Sequence, residues 1–368
     1  MSELSEILNL INPDPSVLKK GRERQAAVWK GIEPDYLPLI LSDSEVPELA
    51  VFSHYTLKEQ FFDKEKMLAE QLKGLVGIAK ANSDAQLSVR ANLGVGVAAT
   101  VFGLKPVFPQ EDQMPWFLEN PPKEMIAYRV SRIANAKTEG LIPTAVEYIE
   151  YFRRRLPENI KLYCYDTQGP FDLAHLIRGS QIYTDVFDDP EFVRRILEIS
   201  TELYIRATKV YKEAVSEPLH SGFHTALFME NGGVRMCDDS SINLSPKLFR
   251  EFSLPYISKA LAPFSGGWVH FCGNANHLFD MYMEVKEIRG INFGNPEKYD
   301  YAAVMEKLIS KGKFYFGTWP MQRGESLKDY FSRMLKPLKG KRGLILQFTR
   351  AAGMPPASEI IKLWQSLQ

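Results

Sequence analysis

Strand-like runs alternate with helix-like runs along most of this chain, and that alternation constrains its fold more than any other feature. Short apolar runs bounded by turn residues are typical of buried strands, and longer runs with apolar residues at every third or fourth position are typical of helices. We predict strands at residues 36–41, within 93–103, at 160–166, at 223–229 with the adjoining 234–239, at 266–272, at 290–294, at 313–318 and at 343–349. Eight strands alternating with helices predict a closed (β/α)8 TIM barrel of the α/β class.

Two of the intervening helices have recognisable first turns. Asp189 and Pro190 open a long run with apolar residues at helical spacing, and Ser245 caps a further helix that reaches residue 261. The first three predicted strands lie about fifty residues apart, whereas the later ones follow more closely. We expect the additional length to form extra N-terminal helices and loops over one face of a single barrel domain that spans residues 1–368.

The composition excludes several classes of protein. Lys and Arg number 45 and Asp and Glu also number 45, so the chain lacks the excess of positive charge that nucleic acids and anionic membranes require. The three cysteines are too few and too scattered for a disulfide framework, and the N-terminus has neither the basic nor the apolar segment of a signal peptide. No apolar run is long enough for a membrane span. We therefore expect a cytoplasmic protein that acts on a small-molecule substrate.

The sharpest chemical signal is the pair His270 and Cys272 at the end of one predicted strand. Side chains alternate along a strand, so the imidazole and the thiol face the same side. An imidazole and a thiolate on one face are two corners of a zinc site. The same spacing also occurs where a histidine and a cysteine only fill the core, and both interpretations are open.

Further polar residues close the other predicted strands. Asp238 and Asp239 are the candidates for a catalytic acid or base, although two aspartates followed by two serines are also ordinary turn and capping residues. Asp166, Asn292 and Arg350 are the candidates for substrate binding, because catalytic and binding groups of such barrels lie at the carboxyl ends of the strands.

In this order the segments resemble the uroporphyrinogen decarboxylase superfamily of (β/α)8 barrels, which includes corrinoid-linked methyltransferases such as methylcobalamin:coenzyme M methyltransferase. The resemblance runs through most of the chain. The segments that carry it are residues 22–41, TQGPFDLAHLIRGS at 167–180, DDPEFVRRILEISTELYI at 188–205, MCDDSSINLSPKLFREFSLPYISKAL at 236–261 and WVHFCGNANHLFD at 268–280.

The resemblance implies a zinc site. His270 and Cys272 take the positions of the first two zinc ligands of the methyltransferase branch. That branch has a further cysteine at the end of the last strand, where this chain has Thr349, Arg350 and Ala351. The additional ligand candidates are therefore Cys237, His277, Asp238 and Asp239, or a water molecule.

The resemblance leaves three functions open. The first is zinc-assisted methyl transfer between a small molecule or thiol and a corrinoid. The chain has no DxHxxG corrinoid-binding segment, so the corrinoid would come on a partner protein. The second is a metal-free decarboxylase or lyase acting on a tetrapyrrole or another acidic substrate, although residues 41–48 are acidic where the decarboxylases carry arginines. The third is a non-catalytic barrel that binds a corrinoid or a tetrapyrrole. A homodimer is compatible with any of them.

Overall fold

Ten β-strands run through the computed structural model, which describes residues 2–117 and 119–368. In chain order they are β1 (Leu39–Asp43), β2 (Ser88–Val89), β3 (Lys161–Leu162), β4 (Gly222–His224), β5 (Leu227–Met229), β6 (Val234–Cys237), β7 (Gly267–Phe271), β8 (Ile288–Phe293), β9 (Phe314–Gly317) and β10 (Leu344–Arg350). Strands β4 and β5 form an antiparallel hairpin, and every other pairing between these strands is parallel.

The parallel strands close into a barrel. Six of them form one sheet in the order β1-β10-β9-β8-β7-β6, and β2 pairs with β3. At one junction the Cys237 N–H at the end of β6 donates to the Thr167 carbonyl beyond β3, at 2.8 Å. At the other junction the Asp84 N–H ahead of β2 donates to the Leu39 carbonyl of β1, at 3.2 Å. The predicted (β/α)8 barrel with extra N-terminal helices is confirmed.

Fifteen helices surround the strands in the described part of the chain. They are α1 (Glu3–Leu10), α2 (Pro15–Trp29), α3 (Leu57–Phe62), α4 (Lys64–Ala81), α5 (Lys123–Arg129), α6 (Ile142–Arg153), α7 (Pro170–Arg178), α8 (Ile182–Asp188), α9 (Pro190–Val215), α10 (Pro246–Phe252), α11 (Leu254–Leu261), α12 (Phe279–Glu284), α13 (Tyr301–Ser310), α14 (Leu327–Leu335) and α15 (Ala357–Ser366). Short 3-10 segments add Pro47–Val51, Ala98–Phe102, Val130–Thr138, Ser241–Asn243, Ala262–Phe264 and Pro296–Lys298. None of the helices in the described ranges has the length and apolar character needed to cross a membrane.

The predicted helix starts are those of the structure. Asp189 caps α9 by accepting a hydrogen bond from the Phe192 N–H, and Ser245 caps α10 by accepting one from the Leu248 N–H. The run after Ser245 is two helices rather than one. They are separated at Ser253, because Pro255 has no N–H to donate to the preceding turn.

Three strand predictions need correction. The apolar run at 93–103 is not a strand: β2 lies earlier, at Ser88–Val89, and residues 98–102 form a 3-10 helix. The strand predicted at 160–166 is regular only over Lys161–Leu162. Residues 223–229 belong to the β4–β5 hairpin, and the barrel strand of that region is β6 alone. Glycines interrupt the run at 93–103 and a tight turn interrupts the run at 223–229, and periodicity alone does not separate such runs from barrel strands.

Helix α2 and the hairpin close the N-terminal end of the barrel. The buried Gln25 donates from Nε2 to the Asp84 carbonyl at 2.6 Å and accepts from the Phe228 N–H of β5. The Trp29 ring packs against Phe314, the first residue of β9, with ring centroids 4.7 Å apart. The carboxyl ends of the strands are at the opposite end of the barrel.

Candidate metal centre

Two neighbouring strands end with thiol and imidazole side chains, which are of the metal-ligand type, at the carboxyl-terminal mouth of the barrel. Cys237 is the last residue of β6 and pairs in register with His270 of β7, so both side chains point to the same face of the sheet. That face is the inner one, because the Trp268 ring, two residues before His270, contacts Phe316 of β9 across the intervening strand. Cys272 follows directly after β7. This is the position at which (β/α)8 barrels carry their active sites.

The donor atoms converge. The thiol of Cys237, the carboxylate of Asp239 and the imidazole of His270 each offer a ligand atom, and these atoms all lie within 4.8 Å of one another. Cys237 Sγ donates to Asp239 Oδ2 at 3.0 Å, and the Cys272 N–H donates to Asp239 Oδ1 at 2.6 Å. The sulfur of Cys272 lies 3.4 Å from His270 Nε2, so these two side chains do lie together. We call Cys237, Asp239, His270 and Cys272 the donor cluster.

The two thiols and the imidazole of the donor cluster are uncharged near neutral pH when no metal is bound. Burial raises the pKa of the Cys237 thiol well above its ordinary value. Cys272 is exposed, yet desolvation of its thiol, followed by the charge of Asp239, raises its pKa to about 11. Burial lowers the pKa of His270. Near neutral pH both thiols therefore keep their protons, and a metal ion would have to displace them.

Asp172, in the first turn of α7, fixes the backbone that carries Asp239. Its two carboxylate oxygens accept the N–H groups of Asp239 at 2.9 Å and of Ser240 at 2.6 Å, and the residue is only 3% exposed. Burial, followed by the charges of Asp238 and Asp239, raises the pKa of Asp172 well above its ordinary value. Asp172 was not among the site residues predicted from the sequence. The signal available was its place in the first turn of a helix that follows a barrel strand.

Replacing Asp172 with alanine should lower the free energy of unfolding by about 1 to 3 kcal/mol, because buried N–H groups lose their acceptor. Zinc affinity, measured by chelator competition, should fall as well, because Asp239 is no longer held in place. Asp280→Ala removes an exposed carboxylate on α12 and should change stability by less than about 0.5 kcal/mol. An Asp172→Ala protein with unchanged stability and unchanged zinc affinity would contradict this role.

The two neighbouring aspartates occupy different surroundings. Asp239 lies in the donor cluster, whereas Asp238 is fully buried behind the sheet, where its Oδ2 accepts a hydrogen bond from the Tyr282 hydroxyl at 2.7 Å. Burial raises the pKa of Asp238 to about 6. Asp239 is therefore the aspartate of this pair that reaches the mouth of the barrel.

Asn292 of β8 contacts the donor cluster through its histidine. The Asn292 Oδ1 atom lies 2.5 Å from His270 Nδ1, and Nδ2 donates to the Phe316 carbonyl of β9 at 2.5 Å. Nδ1 of the imidazole therefore contacts Asn292 in the barrel wall, and Nε2 faces Cys272.

Asp166 lies inside the barrel, where it is paired with two arginines. Its Oδ1 contacts Arg90, Arg235 Nη1 at 2.9 Å and His224 Nε2 at 3.3 Å. Burial alone would raise the pKa of Asp166, but Arg90 and Arg235 hold it well below its ordinary value. Arg90, which directly follows the two-residue strand β2, was not among the site residues predicted from the sequence. We call Arg90, Asp166, Arg235 and His224 the arginine cluster.

The arginine cluster retains unused hydrogen-bonding capacity. Arg235 Nε and His224 Nδ1 are buried and have no hydrogen-bond partner among residues 2–117 and 119–368, and the same holds for Nε1 of the adjacent Trp268. Burial lowers the pKa of His224 to about 4, so this ring is neutral at physiological pH. Two arginines face one aspartate, so the arginine cluster itself holds more positive than negative charge.

Arg350 and His277 lie away from both clusters. Arg350 binds Asp43 at 2.9 Å and Glu45 at 2.6 Å on the outer side of β10, whereas its neighbour Thr349 contacts Ser42 at 3.2 Å. His277 is exposed and lies 3.1 Å from the Leu244 carbonyl. The structure does not bring these two side chains to the donor cluster.

The fold and the donor cluster define a class of protein, the (β/α)8 barrels with sulfur, nitrogen and oxygen donors at the carboxyl-terminal mouth. The chain is similar in structure to a methyltransferase from Methanosarcina mazei, with a TM-score of 0.66 and 17% sequence identity over 94% of this chain and 97% of that chain. At this identity the likeness shows the fold. No protein-family model and no curated protein sequence matches the chain. The superfamily resemblance therefore stays a prediction.

Proposed function

We propose that this protein is a zinc-dependent methyltransferase that moves a methyl group between a small molecule or thiol and a corrinoid carried by a separate protein. The observation that carries the proposal is the donor cluster, which joins Cys237, Asp239 and His270 at the mouth of the barrel. The structural likeness to a methyltransferase supports it further.

The donor types fit zinc. Thiolate, imidazole and carboxylate are the ligands that Zn²⁺ takes in proteins, and catalytic zinc sites combine three protein ligands with one open position. Cys237, Asp239 and His270 supply one donor each, and Cys272 Sγ lies next to the histidine. The ligand that the last strand lacks at Thr349 can thus come from β6 and the loop after it.

Zinc bound in this cluster would act as a Lewis acid and would lower the pKa of a substrate thiol, which makes that thiol a nucleophile. The side chains prepare this chemistry. Asp239 Oδ2 accepts a hydrogen bond from the Cys237 thiol and is therefore placed to receive the proton that this thiol loses when it ionises. Asn292 orients the His270 ring, and Asp172 holds the Asp239 backbone.

The arginine cluster indicates a substrate that carries an acidic group. Arg235 lies on β6 two residues before Cys237, so the two side chains point to the same inner face. The excess of positive charge in the cluster and the unpartnered Arg235 Nε suit a carboxylate, sulfonate or phosphate group. A small thiol with an acidic group would bind with its anion at the arginines and its sulfur at the donor cluster.

The same arginines favour one second candidate, a metal-free lyase acting on an acidic substrate. Such an enzyme needs positive charge in its interior and protonatable groups nearby, which the arginine cluster and Asp239 would supply. It does not need the two thiols of the donor cluster.

Metal analysis and an activity screen separate these functions. Protein purified without chelator should contain about one zinc per chain. It should also methylate small acidic thiols when mixed with a methylated corrinoid carrier protein. Zinc-free protein that fails to bind added zinc would overturn the methyltransferase proposal, and carbon dioxide release from an acidic substrate by that protein would establish the lyase. Protein that contains stoichiometric zinc but transfers no methyl group to or from any thiol or methylamine would also contradict the methyltransferase proposal.

A further inference from the structure

The amide of Asn292 has a fixed orientation between two strands. Its Nδ2 lies 2.5 Å from the Phe316 carbonyl of β9, and a backbone carbonyl can only accept a hydrogen bond. The NH2 group must therefore face Phe316. If the amide were flipped, two oxygen acceptors would face each other at that distance.

This orientation determines which nitrogen of His270 carries the proton. With the NH2 group at Phe316, the Asn292 Oδ1 faces His270 Nδ1 at 2.5 Å, and an amide oxygen can only accept. The hydrogen of a neutral imidazole must then lie on Nδ1. The electron pair of Nε2 is directed at Cys272, whose sulfur lies 3.4 Å away.

Gly317 makes room for this amide. Its backbone has φ +143°, and a Cβ placed there would lie 2.2 Å from Asn292 Nδ2. Real Cβ atoms do not come that close, so any side chain at position 317 would displace the amide from Phe316. The glycine at the end of β9 thus controls a histidine two strands away.

We infer that Asn292 and Gly317 are positioning residues that hold His270 in the Nδ1–H tautomer, with Nε2 free to bind a metal at the donor cluster. The consequence for the metal rests on the proposed function, whereas the tautomer does not. Hydrogen bonds to the second nitrogen of a metal-binding histidine commonly fix its tautomer and strengthen its binding.

The test is nitrogen NMR of the imidazole rings in metal-free protein, at a pH where histidine is neutral, with the His270 signals assigned by their loss in His270→Gln. Wild-type protein should show His270 as the Nδ1–H tautomer alone. Asn292→Ala and Gly317→Ala should each give a mixture of tautomers and a zinc affinity about 10- to 100-fold lower by chelator competition.

Gly312→Ala is the matched control. Gly312 also has a positive φ, +66°, but a Cβ there has no atom within 4 Å, so the variant carries backbone strain without touching Asn292. It should leave the tautomer and the zinc affinity unchanged. A pure Nδ1–H tautomer and unchanged zinc affinity in both Asn292→Ala and Gly317→Ala would overturn the inference. Wild-type protein that binds no zinc but shows the predicted tautomers would overturn the proposed function and support the positioning role.

Discussion

His270→Ala is expected to abolish stoichiometric zinc binding and to lower the rate of corrinoid-dependent methyl transfer by at least about 1000-fold. The imidazole supplies the nitrogen of the donor cluster, and its loss leaves Cys237 and Asp239 without their third partner. A bound metal contributes several kcal/mol to the stabilisation of developing charge, and each loss of about 1.4 kcal/mol lowers a rate tenfold. The measurements are elemental zinc analysis and the single-turnover rate from a methylated corrinoid carrier to a small thiol.

One cysteine variant tests the same site and a second serves as the control. Cys237→Ala should lose zinc and activity in the same way as His270→Ala. Cys164→Ala removes a buried thiol that lies outside the donor cluster, so it should keep both its zinc and its transfer rate. If Cys237→Ala retains one zinc per chain and the wild-type rate, β6 does not supply a ligand and the proposed site is wrong.

Local patterns were sufficient to predict the barrel and half of the donor cluster. The period of two along β7 places His270 and Cys272 together, and that relation needs no knowledge of other strands. Cys237 joins them only because β6 and β7 pair with a particular register. Register depends on contacts between distant segments, so the sequence presented Cys237 as one candidate among several.

The errors in the fold have a comparable cause. β2 and β3 have two residues each, so neither contains an apolar run long enough to be recognised as a strand from the sequence. The more apolar run at 93–103 follows β2 and packs as an irregular segment with a 3-10 helix. A pattern rule that depends on the length of an apolar run favours the wrong segment here.

The arginine cluster could not be predicted from the sequence, because its residues lie far apart along the chain. Arg90, Asp166 and Arg235 come from three separate strands or strand ends, and nothing in their spacing connects them. Asp166 was predicted as a binding residue from its place at a strand end. Its contacts with Arg90 and Arg235 depend on closure of the barrel, which brings the ends of β2, β3 and β6 together.

Asp166→Asn is expected to lower the free energy of unfolding at pH 7 by about 3 to 5 kcal/mol, because removing one partner of a buried ion pair leaves the other charge uncompensated. Here Arg90 and Arg235 would face each other with no carboxylate between them. Urea unfolding of both proteins at a series of pH values measures the difference. Asp189→Asn, which affects an exposed pair with Lys123, should cost no more than about 1 kcal/mol.

The pH dependence of that difference tests its origin. The arginines hold the pKa of Asp166 in the folded protein well below its ordinary value, so its ionised form stabilises the fold. The advantage of wild-type protein over Asp166→Asn should be complete above the unfolded-state pKa of about 3.9. It should shrink as the pH falls from there through the lower pKa of the folded protein. A difference in stability that stays the same between pH 7 and pH 3 would mean that Asp166 acts through packing rather than through its charge.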